Sequence, residues 1–219
     1  STPIKSSAAS DVYKRQGTVV NALMYHCRDN LSGINGVMRP GIVHRIDMNT
    51  TGVIVACKND KAHNDIAAQL AVHSITRKYY CIVHNRFKEE EGTVNAPIGR
   101  NPKDRKMMAI DRKNGKRAVT HYRVLENFDK YSFIECQLET GRTHQIRAHM
   151  ASIGHPLVGD TKYGKGKKAP DSIKYQALYS YKLKFNFETD ADILNYLNGK
   201  EFKVNDVWFA KNGKINSDR

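Results

Sequence analysis

Four stretches constrain the fold of this 219-residue chain more than any other feature. Ile75–Val83, 118–126, 131–139 and 178–187 are β-branched and aromatic runs of strand length. The third alternates through Tyr131 and Phe133, as a strand with one buried face does. Helical spacing appears between them. Val19, Val20, Leu23, Met24 and Cys27 share one stripe, and Asn59-Asp60 offers an N-cap to a helix carrying Ala62, Ile66 and Leu70. A third helix is expected over 144–153, capped by Thr143 and ended by Gly154 and Pro156. The shorter apolar run Val53–Cys57 reads as a strand covered on both faces. With no internal repeat, this order implies a mixed α/β (α+β) domain: a large, mostly antiparallel sheet flanked by helices.

The chain carries 36 Lys and Arg against 22 Asp and Glu, a net charge of +14, with a pI near 9.6. Such an excess points to an anionic partner, of which nucleic acid is the commonest. The basic residues cluster. Between Arg100 and Arg117 stand eight of them against two acids, and Asn114-Gly115 makes the segment read as a positively charged hairpin. Arg100, Lys103, Arg105 and Lys106 are candidates for phosphate contacts. A second basic loop, with interspersed glycines, covers Lys162, Lys165, Lys167, Lys168 and Lys174. No apolar run has membrane-spanning length, and no membrane partner is expected. Cys27, Cys57, Cys81 and Cys136 are dispersed in apolar contexts and read as reduced core residues of a cytoplasmic protein.

Two stretches carry the chemistry. His44-Arg45-Ile46-Asp47-Met48-Asn49-Thr50-Thr51-Gly52 lies between a Pro40-Gly41 turn and the Val53 run, so one acid is presented on a tight loop. Thr50 and Thr51 can bond local backbone, and Gly52 permits a positive φ. About a hundred residues later come Thr140-Gly141-Arg142-Thr143-His144-Gln145-Ile146-Arg147-Ala148-His149 and Gly154-His155-Pro156-Leu157-Val158-Gly159-Asp160.

Together with Ala96-Pro97-Ile98-Gly99-Arg100 and Gly115-Lys116-Arg117-Ala118-Val119-Thr120-His121-Tyr122, these resemble the RluA-type pseudouridine synthases, in particular the branch acting as ribosomal large subunit pseudouridine synthase D. The resemblance runs from Gly17 to about Phe187, in the family's motif order. It implies an RNA enzyme that isomerises uridine, with large-subunit ribosomal RNA as the expected substrate. Transfer RNA, or an RNA-binding remnant without activity, are the alternatives. By motif match, Asp47 is the expected nucleophile, Arg147 its cationic partner and Tyr79 the residue stacked on the target base. Arg45 matches the residue that enters the space left by the flipped nucleotide. His44 is expected to position the loop, and Ile146 to floor the uracil pocket. Thr51, Arg142 and His144 complete the substrate-binding set.

Neither metal nor organic cofactor is expected, and the protein is expected to act as a monomer. His144 and His149 lack the spacing of a zinc motif. Thr51, Asn85 and Tyr179 depart from the family pattern, where Ser, Gly and His are usual. Residues 1–16 are polar and lack the family's first strand; they are expected to be a disordered, non-native leader ahead of a single catalytic domain over 17–219.

Overall fold

The strand-forming runs pair into one large sheet. A computed structural model describes residues 18–27, 30–36, 40–211 and 214–215; the expected leader at 1–16 lies outside the described residues. In chain order the elements are α1 (Val19–Cys27), β1 (Thr51–Gly52), α2 (Asp60–Ala71), β2 (Ile75–His84), β3 (Glu91–Asn95), β4 (Ile98–Arg100), β5 (Met108–Ile110), β6 (Val119–Asn127), β7 (Tyr131–Leu138), α3 (Gln145–Ser152), β8 (Leu178–Phe185), a 3-10 turn (Asp192–Leu197), β9 (Glu201–Lys203), β10 (Ala210–Lys211) and β11 (Lys214–Ile215). The seven-stranded sheet has the order β1-β8-β2-β7-β6-β3, with β9 paired to β8. The pairs β2–β7, β6–β7, β3–β6 and β8–β9 are antiparallel. The expected mixed α/β fold with a large, mostly antiparallel sheet is therefore borne out.

By its internal contacts the chain divides into two compact units. The first runs to Thr76 and takes in Lys182–Lys203. There Asn59 caps α2, its Oδ1 accepting the Ala62 amide at 2.9 Å, which contributes about 1 kcal/mol. The apolar stripe of α2 buries Ile66 against Ile75, Leu183 and Phe185. Full burial of one such side chain is worth roughly 1.5–3 kcal/mol.

The second unit covers Arg77–Tyr181 and continues from Val204. One core joins Ile82, Phe133, Val158, Tyr179, Tyr181 and Phe209. Tyr80 stacks on Tyr181 at 3.7 Å between centroids, so it belongs to that core, whereas Tyr79 points to the opposite face of β2. A smaller cluster of Ile98, Ala118 and Ala148 packs α3 on the β4–β5 hairpin.

Three local expectations are corrected. Val53–Cys57 is not a strand: only Ala56 bridges, to Ile42, and Val53 to Ala56 are half-buried. The Val55 amide is taken by the His44 imidazole instead of a neighbouring strand. The basic hairpin turns at Asn101, whose Oδ1 accepts the Lys103 amide, and not at Asn114-Gly115. That dipeptide closes a second turn, in which the Gly115 amide donates to the Asp111 carbonyl. Thr143 does not cap α3. The N-cap is His144, at φ 54°, with no side-chain cap bond.

Candidate active site

Asp47 stands in a loop built almost wholly from backbone. Three hydrogen bonds close its base: Gly41 N to Ser32 O at 2.8 Å, Cys57 N to Gly41 O at 2.8 Å and Ser32 N to Cys57 O at 3.0 Å. Gly41 is required there. Its φ is +70°, and a Cβ would lie 2.6 Å from the Cys57 carbonyl oxygen. Higher up, His44 Nε2 accepts the Val55 amide at 2.9 Å, which puts the imidazole proton of a neutral ring on Nδ1. At the apex the Thr50 amide returns to the Asp47 carbonyl at 3.0 Å, with Asn49 at φ 67°. Asn tolerates that left-handed conformation better than most residues. Asp47 is half-buried, Arg45 exposed and Ile46 buried. Gly52 takes the expected positive φ, +117°. Thr51 differs from expectation: its buried hydroxyl makes no hydrogen bond among the described residues.

Arg147 is organised differently. It lies on α3, 5% exposed, and its guanidinium forms a fork onto the fully buried carboxylate of Asp160, Nε to Oδ2 at 2.6 Å and Nη2 to Oδ1 at 2.9 Å. Asp160 Oδ1 also accepts the Lys162 and Tyr163 amides at 3.0 and 3.1 Å. Two charges are thereby removed from water with their donors and acceptors matched, the condition under which a buried pair is tolerated. The Tyr163 ring lies under the guanidinium, 5.0 Å from Cζ to centroid. Its hydroxyl accepts the Met108 amide at 2.8 Å, leaving its own proton for His144 Nδ1 at 2.9 Å.

The loop before α3 is held by a buried amide. Gln145 Oε1 accepts from the Arg142 amide and the Thr140 hydroxyl, and Nε2 donates to Val119 O and Thr120 Oγ1. One turn on, His149 is wholly buried between Thr120 Oγ1 and the Ala96 carbonyl, each at 2.9 Å. The carbonyl can only accept, so Nε2 carries the proton and the Thr120 hydroxyl donates to Nδ1. Burial holds the His149 pKa below its ordinary 6.5, against an opposing contribution from the Ala96 bond.

The remaining candidates divide between the units. His44, Arg45, Asp47 and Thr51 lie in the first; Tyr79, Arg142, His144, Ile146, Arg147 and the basic hairpin lie in the second. Tyr79 and Ile146 are buried. Arg142 is exposed, its Nε donating to the Arg117 carbonyl. Arg100, Lys103, Arg105 and Lys106 are exposed, and Arg100 Nη1 donates to the Arg105 carbonyl at 3.0 Å. Lys162 Nζ reaches the Lys106 carbonyl, so both basic loops share one surface. Asp160 and Tyr163 carry no role in the sequence analysis, although Asp160 closes a quoted motif. Their link to Arg147, thirteen and sixteen residues away, has no periodic signal. Asn85, where Gly is usual, has φ 70° and donates to the Gly154 carbonyl. Asn accepts that left-handed backbone better than most residues.

Comparison with known proteins supplies the class to which this fold belongs. The RNA pseudouridylate synthase family profile matches residues 12–152. An uncharacterized RNA pseudouridine synthase of Bacillus subtilis is 52% identical over 180 residues, 82% of this chain and 58% of that protein. Ribosomal large subunit pseudouridine synthase D of Zymomonas mobilis is 52% identical over 175 residues, 77% and 55% respectively. Human RNA pseudouridylate synthase domain containing 1 superposes with a TM-score of 0.69 at 25% identity, over 86% of this chain and 74% of that one. The chain belongs to the RNA pseudouridylate synthase family. It spans rather more than half the length of these two bacterial relatives.

Proposed function

We propose that this protein is an RNA pseudouridine synthase that isomerises uridines in structured RNA, with large-subunit ribosomal RNA as substrate. The observation that carries this reading is Asp47 at the apex of a loop whose base and flank are locked by hydrogen bonds. A carboxylate so held loses little freedom on attack, which is how a weak nucleophile becomes useful. Asp47 attacks C1′ of the target nucleotide and displaces the uracil, which leaves with the C1′–N1 electron pair. The detached uracil turns within its pocket, and its C5 bonds to C1′ as the C1′–O bond to Asp47 breaks and the carboxylate is released. The C5 hydrogen is then lost as a proton and N1 gains one, so the product is an isomer and no cofactor is consumed.

Arg147 is the cationic partner of the nucleophile, and Asp160 sets the direction of its guanidinium. Tyr79 stacks on the base and Ile146 floors the pocket. Arg45, exposed beside Asp47, fills the stack vacated by the flipped nucleotide; taking the base out of the helix is what gives the acid access. Arg142, His144 and Thr51 hold the flanking substrate. Arg100, Lys103, Arg105 and Lys106 contact phosphates. The protein works in the cytoplasm as a monomer. The names of relatives such as the Zymomonas mobilis enzyme support ribosomal RNA over transfer RNA.

Release of hydrogen from C5-labelled uridine, in ribosomal and transfer RNA transcripts, tests both activity and substrate. The wild type is expected to release label from the ribosomal transcript alone. Asp47→Asn should release none while keeping RNA affinity within about twofold, because a neutral isostere removes the nucleophile and little else. Turnover by the Asn variant would remove Asp47 from the role.

A further inference from the structure

The Asp160 clamp has a second neighbour. Asp160 also lines a depression of about 410 Å³, enclosed by segment 159–174 and the end of β2, which no role above uses. Lys165, Lys167 and Lys174 line it with Gly166 and His84. Among the described residues, none of these three ammonium groups is paired with a carboxylate. The single acid in the lining is already engaged by Arg147 and two backbone amides. His84 is 6% exposed, yet neither ring nitrogen makes a hydrogen bond among the described residues. Its recorded partners are the Tyr131 ring, 5.4 Å between centroids, and His155, whose Nδ1 donates to the His84 carbonyl and not to the ring.

A lysine loop alone would be a solvated face. His84 adds a second observation: a side chain only 6% exposed that lines the same depression and makes no ring hydrogen bond among the described residues. Three lysines without a carboxylate partner and one histidine line a space large enough for a phosphodiester with its sugar. Gly166 stands at φ +79° with nothing within 4 Å of a Cβ position, so the rim is open.

We infer that this depression is a phosphodiester subsite for the RNA substrate, formed by His84, Lys165, Lys167 and Lys174, outside the pocket of the target nucleotide. It rests on the RNA reading above. Burial and then the nearby Lys167 hold the His84 pKa below 6.5 in the free protein. Lys167 acts on the ring by its charge, Tyr131 on β7 and His155 lie against His84, and Lys165, Lys174 and Asp160 line the same depression. A bound phosphate would be the first unengaged anion among them, so it would favour the protonated imidazole and gain a charge-assisted donor.

The test uses the full chain with two probes, inorganic phosphate and a substrate RNA transcript. The ¹⁵N resonances of the His84 imidazole are assigned with H84Q. RNA is expected to move these resonances toward the protonated form at pH 7, and inorganic phosphate to do so weakly. The double variant Lys167→Ala, Lys174→Ala should lose that response. It should also flatten the slope of log affinity against log salt by roughly 1.4–1.8, at 0.7–0.9 per contact. An unaltered slope with unmoved His84 resonances would overturn the subsite while leaving wild-type isomerisation intact. A response to inorganic phosphate but not to RNA would overturn RNA as its source. If the wild type neither bound nor isomerised any RNA, the functional reading would fail instead.

Discussion

The loop that carries Asp47 and the network that carries Arg147 reach rigidity by opposite routes. The loop is tied by main chain: the Ser32–Gly41–Cys57 bonds, the Thr50 return and one imidazole on the Val55 amide. The network is tied by side chains: Asp160 on Arg147, Tyr163 on His144, and Gln145 and His149 on Thr120. A backbone-held loop depends on a few residues whose φ values are hard to replace. A side-chain network depends on every member being present, since each deletion leaves a buried group unmatched. Substitutions should therefore act locally in the first region and propagate in the second.

The largest expected effect is on turnover. Arg147→Met should lower kcat roughly a hundredfold or more, the usual scale for losing an electrostatic group at a reacting centre. Arg147→Lys should not restore it, because an ammonium cannot span both Asp160 oxygens. Recovery by Lys would mean that the fork is dispensable.

Next is stability. Asp160→Asn leaves a buried guanidinium unmatched and should cost about 3–5 kcal/mol in chemical denaturation. Combining it with Arg147→Met should be milder than Asp160→Asn alone, since the stranded charge goes too. Additive losses would show that the two do not act as a pair.

In the loop, Gly41→Ala should cost about 1–3 kcal/mol through strain at φ +70° and the clash with Cys57. Its effect should stay local: kcat should fall while hydrogen exchange in α3 is unchanged. Altered exchange in α3 would break the distinction drawn between the regions.

A smaller effect concerns pH. His149 is buried with its pKa lowered from 6.5 by desolvation, so between the lowered value and 6.5 the unfolded chain binds more protons than the folded one. This contribution is complete above about pH 6.5 and declines as pH falls below it, by at most about 1.4 kcal/mol per pH unit. His149→Gln should flatten the acid limb of the stability profile. An unchanged limb would assign it to other groups, with His84, whose pKa is also lowered, the first candidate.

The smallest effect is on binding. Neutralising Lys103, Arg105 and Lys106 should make the salt slope shallower by roughly 2–3 if all three meet phosphate, leaving kcat unchanged. An unmoved slope would mean that these exposed residues only face solvent.

Much of this was legible in the amino-acid order. Helices α1 and α2, the Asn59 cap and the long strands follow from spacing and side-chain shape, because period and capping are local properties. The Asp47 loop was legible for the same reason: a Pro-Gly turn, an acid and a Thr-Thr-Gly exit lie within thirteen residues. The misreadings arose where a distant group intervened. Val53–Val55 looks like a strand, but its central amide is claimed by His44; Thr143 looks like a cap, but the neighbouring Gln145 amide takes the Arg142 N–H. Only the tertiary structure decided that Asp160 clamps Arg147, that Tyr163 lies beneath it and that Tyr80, not Tyr79, joins the aromatic core. Sequence determines directly what neighbours along the chain impose on one another. Which buried charge meets which carboxylate is chosen by packing, where the cost of an unmatched group is highest.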